Sequence, residues 1–179
     1  NNASIILNSV SASYSSITGF ILTGNIVNQK GIVISNLSIR RNYFNSRYGW
    51  SVDFTQEVSN DILIAENIFD GNGVNVNYSA NSSNKVNNFK VENNVFFVNF
   101  RVIGGYYNNI NLYVNHNLFI RGDASQPLYS SFNGGMSITG NSISINDNIF
   151  YNVLPLDTTA TYTLNCNLTN NITFAGVLI

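Results

Sequence analysis

A short phrase recurs along this chain: AENIFDG at 65–71, VENNVFFVN at 91–99, VNHNLFIRG at 114–122 and INDNIFYN at 145–152. Each writes an Asn, then an aliphatic residue, then an aromatic one. Taking that Asn as an anchor gives Asn25, Asn42, Asn67, Asn94, Asn117, Asn148 and Asn171, at intervals of 17, 25, 27, 23, 31 and 23 residues. A mean near 24 is the length of one solenoid repeat.

The columns around the anchor carry the structural information. Five before it stand Phe20, Leu37, Ile62, Phe89, Leu112, Ile143 and Cys166; three before it stand Leu22, Ile39, Ile64, Val91, Val114, Ile145 and Leu168. The residues between are mostly polar, so each repeat opens with a strand buried on one face. Two after the anchor stand Val27, Phe44, Phe69, Phe96, Phe119, Phe150 and Thr173, where the chain returns to the core after a bend. A second apolar stretch, such as GIVIS from Gly31 or VNVNYS from Val74, follows in each repeat. No segment keeps a helical period, and Asn, Ser, Gly and β-branched residues disfavour one.

Asn suits the bend on two grounds. It tolerates the left-handed conformation better than any residue except Gly. Its amide both donates and accepts, so copies stacked about 4.8 Å apart can bond to one another. Coils of this size close into parallel sheets, and parallel crossovers are overwhelmingly right-handed. The expectation is an all-β, right-handed parallel β-helix of about seven turns over 20–179, preceded by a strand or coil segment at 1–19. The 17-residue first interval is tight for a three-sided coil, so an irregular first turn is expected. The 31-residue interval leaves room for a register shifted by one strand, since ITGN at 138–141 echoes LTGN at 22–25.

These columns resemble the parallel β-helix repeats of the pectin-lyase-like superfamily, from about Phe20 to Thr173. The resemblance implies the fold; its members include polysaccharide lyases, glycoside hydrolases, viral tailspikes and adhesins, so it does not imply one activity. The Asn-Thr-Asp, Asp-Asp, Gly-His-Gly and Arg-Ile-Lys motifs of polygalacturonase-like hydrolases are absent, as is the epimerase Asp-Pro-His. No two acidic residues lie nearer than four apart in sequence, which weakens a lyase-type calcium site.

Charged residues are 9% of the chain, against roughly 25% usually, and the net charge is -1. No basic or acidic block suggests nucleic acid. The surface polarity comes instead from 34 Asn, 20 Ser and 10 Thr. That balance suits an extracellular, cell-surface or virion-surface setting. The six Asn-X-Ser/Thr sequons carry little weight, because roughly six arise by chance at this composition. With one cysteine, Cys166, there is no intrachain disulfide or thiolate cluster. No window is apolar enough for a membrane-spanning helix. No metal or cofactor is expected.

Stacking turns columns into surface rows. One before the anchor stand Gly24, Arg41, Glu66, Asn93, His116, Asp147 and Asn170, so His116 should neighbour Asp147. That pair could do acid–base chemistry on a glycan; a solvated row of opposite charges accounts equally for the residues. Arg101, Arg121 and Asp123 could grip an acidic sugar, with Tyr113 as a stacking ring. One after the anchor runs an apolar row of Ile26, Tyr43, Ile68, Val95, Leu118, Ile149 and Ile172. The bend is expected to turn this row inward as well; the alternative is an outward stripe, which would imply a partner. Neither 1–19 nor the terminal FAGVLI reads as a polar or helical cap. The resulting expectation is a structural or adhesive solenoid, binding carbohydrate and self-associating in a larger assembly. A fragment of a polysaccharide lyase or glycoside hydrolase is the alternative.

Overall fold

The computed structural model describes residues 5–7, 13–28, 34–45, 51–54, 59–71, 73–75, 86–98, 103–104, 110–120, 132–133, 142–152 and 166–174. These residues form three parallel sheets wound into a β-solenoid. Every described strand pairing is parallel, and partners lie one repeat apart. Crossovers of this kind are right-handed by the sterics of twisted strands.

The eight-stranded sheet stacks Ser16–Thr18, Ser38–Arg40, Ser59–Ala65, Val86–Glu92, Ile110–Asn115, Ser142–Asn146 and Cys166–Thr169, with Ile34–Ser35 paired beside Ser59–Ala65. The seven-stranded sheet stacks Ile21–Leu22, Tyr43–Phe44, Ile68–Gly71, Val95–Val98, Leu118–Ile120, Ile149–Tyr151 and Ile172–Phe174. The six-stranded sheet stacks Ile5–Leu7, Ile26–Asn28, Val52–Asp53, Val74–Asn75, Ile103–Gly104 and Phe132–Asn133. The sheets therefore do not share the uniform count of about seven that the anchors suggest. Ile5–Leu7 and Ser16–Thr18 already belong to the stack, so the described part of 1–19 is continuous with the solenoid.

Period-two alternation does what the columns require. Leu37, Ile62, Phe89 and Leu112 are buried, as are Ile39, Ile64, Val91, Val114 and Ile145. Across the bend, Phe44, Phe69, Phe96, Phe119 and Phe150 point inward and are fully buried. Their rings stack at centroid distances of 4.8, 4.6, 5.0 and 4.7 Å, within 10° of parallel. The coil pitch sets that spacing, and each ring pair adds about 0.5–1.5 kcal/mol beyond its burial. Leu7, Ile26, Val52, Phe54 and Val74 close the core near the six-stranded sheet.

The first coil corrects the expected register. Leu22, not Val27, pairs with Phe44, and Ile17 pairs with Ile39. Phe20 thus occupies the anchor position, five residues earlier than assigned. Asn25 leads into Ile26–Asn28 of the six-stranded sheet instead. That is why the first interval looked short. The 31-residue interval is real: Leu118 pairs with Ile149, and Phe119 with Phe150.

The bend itself differs from expectation in one respect. The left-handed residue is not the anchor Asn but the residue before it. Arg41, Glu66, Asn93, His116, Asp147 and Asn170 all have φ between 54° and 57°, and Gly19 fills the slot in the first coil at φ 81°. The conformation costs a non-Gly residue about 1–2 kcal/mol. Each coil offsets this with hydrogen bonds to the next, for example the Asn93 N–H to the Asn115 carbonyl at 3.2 Å. A second left-handed column, Tyr14, Asn36, Asp61 and Asn88, precedes the inward positions of the eight-stranded sheet. No sequence column identified it, since Tyr and Asp share it with Asn.

Candidate functional site

The anchors from Asn42 to Asn171 form a continuous ladder. The Asn67 backbone N–H and Nδ2 both donate to Oδ1 of Asn94, at 2.9 and 3.0 Å. Asn94 does the same to Asn117, Asn117 to Asn148, and Asn148 to Asn171. Each Nδ2 also donates to a backbone carbonyl of the preceding coil, as Asn94 does to Ile64 at 2.9 Å. Asn42, Asn67, Asn94, Asn117 and Asn148 are buried. The ladder starts at the Phe20 N–H, which donates to Asn42 Oδ1 at 3.1 Å. These amides are saturated by one another, so their chemistry is structural.

Next to the ladder, the left-handed row lies on the outer bend. The Arg41 Nε–H donates to Glu66 Oε2 at 2.6 Å, and Arg40 Nη2 bonds Oε1 of the same carboxylate. The Arg41 hydrogen bond first, and the Arg40 one second, hold the Glu66 carboxyl below the usual glutamate range. His116 Nε2 lies 3.8 Å from Asp147 Oδ2, with both side chains exposed. The row thus brings His116 and Asp147 together, as an open surface contact outside hydrogen-bond range. Among the described residues, no group of three or more His, Cys, Asp or Glu could hold a metal ion.

Tyr113 is half-buried on the outer face of the eight-stranded sheet, between Lys90 and Ser144. Arg101, Arg121 and Asp123 lie outside the described residues, so the acidic-sugar grip has no geometry here.

The row after the anchor does not turn inward. Ile21, Tyr43, Ile68, Val95, Leu118, Ile149 and Ile172 are strand neighbours on the outside, and Ile149 and Ile172 are 40% and 51% exposed. Ile26 is buried because it belongs to the six-stranded sheet. Two residues further along each strand stand Asp70, Phe97, Ile120, Tyr151 and Phe174. Phe97 and Phe174 are 42% and 48% exposed. From Val95 onward both outward columns are entirely apolar or aromatic. Nearer the start the face is more polar: the Tyr43 hydroxyl donates to Asp70 Oδ2 at 2.8 Å, a bond that raises the Tyr43 pKa above the usual phenol value. The signal for this face was present, since strict alternation from the buried Phe column leaves its neighbours outside.

Comparison with protein-family models, with curated proteins and with solved structures finds no match. Among the described residues, no helix is long and apolar enough to cross a membrane.

Proposed function

We propose that this chain is a structural and adhesive β-solenoid of an extracellular or surface assembly, a parallel β-helix of the pectin-lyase-like kind. The observation that carries the reading is the pairing of a continuous buried Asn ladder with an apolar exterior face. Unbroken Asn and Phe ladders make a stiff, regular rod. The outward apolar columns from Val95 to Phe174 give that rod a contact surface on one side. Low charge with abundant Asn, Ser and Thr supports a setting outside the cell. His116 and Asp147 are exposed and 3.8 Å apart, and among the described residues they belong to no group of three or more His, Cys, Asp or Glu side chains.

The test is incubation with acidic and neutral polysaccharides, with and without calcium. The expected result is no release of reducing or unsaturated ends by a protein that stays folded. Release of either, abolished by His116→Ala or Asp147→Asn, replaces this reading with that of a carbohydrate-cleaving enzyme.

A further inference from the structure

Two stretches of this chain place Asn-Asn at the same point of the coil: Asn93 with Asn94, and Asn170 with Asn171. In each, the first Asn fills the left-handed slot, at φ 57° and 54°, and is exposed. In each, the second Asn is a rung of the ladder. Neither Asn93 nor Asn170 has a side-chain hydrogen-bond partner among the described residues. The two sites therefore match in residue, following residue, backbone angle and exposure.

They differ in one hydrogen bond. The Asn94 N–H donates to Asn117 Oδ1 at 3.0 Å, inside the buried ladder. The corresponding N–H of Asn171, the last described rung, has no acceptor among the described residues. The other groups of Asn171 are engaged. Its Oδ1 accepts from the Asn148 N–H and Nδ2, both at 3.0 Å, and its Nδ2 donates to the Ile145 carbonyl at 2.7 Å.

That difference bears on a reaction open to any exposed Asn. The backbone nitrogen of the following residue attacks the side-chain carbonyl carbon. The N–Cγ bond forms as the Cγ–Nδ2 bond breaks, and the backbone proton leaves with Nδ2 as ammonia. Solvent water then opens the cyclic imide at either carbonyl, giving aspartate or isoaspartate. A nitrogen held in a buried hydrogen bond must first lose that bond, and in an interior coil this requires local opening.

We propose that Asn170 is a site of spontaneous deamidation, and that the ladder protects Asn93 from the same reaction. Either product disturbs the last described coil. Aspartate at 170 sets a second carboxylate beside Asp147, its neighbour in the row. Isoaspartate runs the backbone through the side chain and so lengthens the bend between Cys166–Thr169 and Ile172–Phe174. Those two strands then cannot both keep their register with Ser142–Asn146 and Ile149–Tyr151.

The intact chain is aged at mildly alkaline pH, in buffer and in concentrated urea. Peptide mapping by mass spectrometry reads the exchange of NH2 for OH at each Asn, and electron-transfer fragmentation separates isoaspartate from aspartate. In urea the two sites should react at similar rates, since each precedes an Asn. In the folded chain Asn170 should convert about tenfold faster than Asn93 or more, the scale of one hydrogen bond that must open. Amide hydrogen exchange gives a second measurement: the Asn171 N–H should exchange faster than the Asn94 N–H by a similar factor. Asn117→Ala, verified as folded by circular dichroism, removes the Asn94 acceptor and should raise the Asn93 rate toward that of Asn170. Equal rates at Asn93 and Asn170 in the folded chain overturn the proposal. So does an Asn170 that reacts in urea but stays intact when folded, equal exchange of the two amides, or an unchanged Asn93 rate in folded Asn117→Ala.

Discussion

Asn67 gives both its backbone N–H and its side-chain Nδ2 to a single atom, Oδ1 of Asn94, at 2.9 and 3.0 Å. Asn94 passes the same two bonds to Asn117 and returns its Nδ2 to the Ile64 carbonyl at 2.9 Å. The interaction is thus a relay with a direction along the solenoid. Asn94→Ala would take the Oδ1 acceptor from both the Asn67 backbone N–H and its Nδ2 in the buried ladder, at about 3–5 kcal/mol. Asn94→Asp keeps the acceptor but places a charge against carbonyls and loses the donor, so it should cost more. Urea unfolding should show a lowered midpoint for both variants, with Asp below Ala at neutral pH. Equal stability of wild type and Asn94→Ala would deny the relay any energetic role.

Phe96 has a ring on either side, Phe69 at 4.6 Å and Phe119 at 5.0 Å. Removing it interrupts the stack at its middle and opens a cavity walled by two rings. Phe96→Ala should therefore cost about 3–5 kcal/mol and Phe96→Leu clearly less. By contrast Thr173, in register with Phe150 at the last coil, is exposed. Thr173→Phe should extend the stack and raise the thermal midpoint slightly, by the roughly 0.5–1.5 kcal/mol of one more ring pair. Calorimetric melts of the three variants check the ordering.

Asn67, Asn94 and Asn117 were legible as a ladder because a buried amide needs the same partner in every coil, which forces one residue type into one column. The Phe column was legible for a similar reason: its pocket is rebuilt by each neighbour. Phe20 was not. Phe20 supplies the backbone N–H of the anchor position but no side-chain amide, so the column loses its residue type there, while Asn25 carries a similar local pattern in front of the six-stranded sheet. The left-handed slot was misplaced by one because its constraint lies on φ alone, and Arg, Glu, His and Asp satisfy it when hydrogen bonds offset the cost. The outward stripe was visible as residues, but its direction depended on whether the bend preserved strand alternation. His116 and Asp147 were placed side by side correctly by register; their separation of 3.8 Å is a side-chain property that register does not determine.

Glu66 is flanked by two guanidinium groups, which stabilise its charged form. Its folded pKa therefore lies below the unfolded value. The sign follows by linkage: the contribution is complete above the unfolded glutamate pKa and disappears as pH falls through the lowered folded value. Because the group is solvent-exposed, screening keeps the effect small. Carboxyl NMR should find Glu66 titrating below ordinary glutamates. Arg41→Ala should move it back further than Arg40→Ala, because the Arg41 hydrogen bond is the larger cause. An unchanged titration in both variants would remove the triad from the account.

Asn93 sits in the left-handed slot at φ 57°, between Glu66 and His116 in the same row. Its side chain is exposed and its backbone N–H is bonded to the Asn115 carbonyl at 3.2 Å. Side-chain loss therefore costs little, while the backbone angle does not change with the residue. Asn93→Gly removes the steric cost of φ but loosens the unfolded chain, and these effects oppose each other. It should stay within about 0.5 kcal/mol of wild type. Asn93→Val keeps a Cβ and adds branching that the left-handed region tolerates worst, so it should lose about 1–2 kcal/mol. The same pair at exposed Tyr14, whose φ is 59°, should rank in the same order, since the second column imposes the same angle. Chemical denaturation of the four variants measures this. Valine as stable as glycine at position 93 would mean that the bend does not impose the left-handed angle.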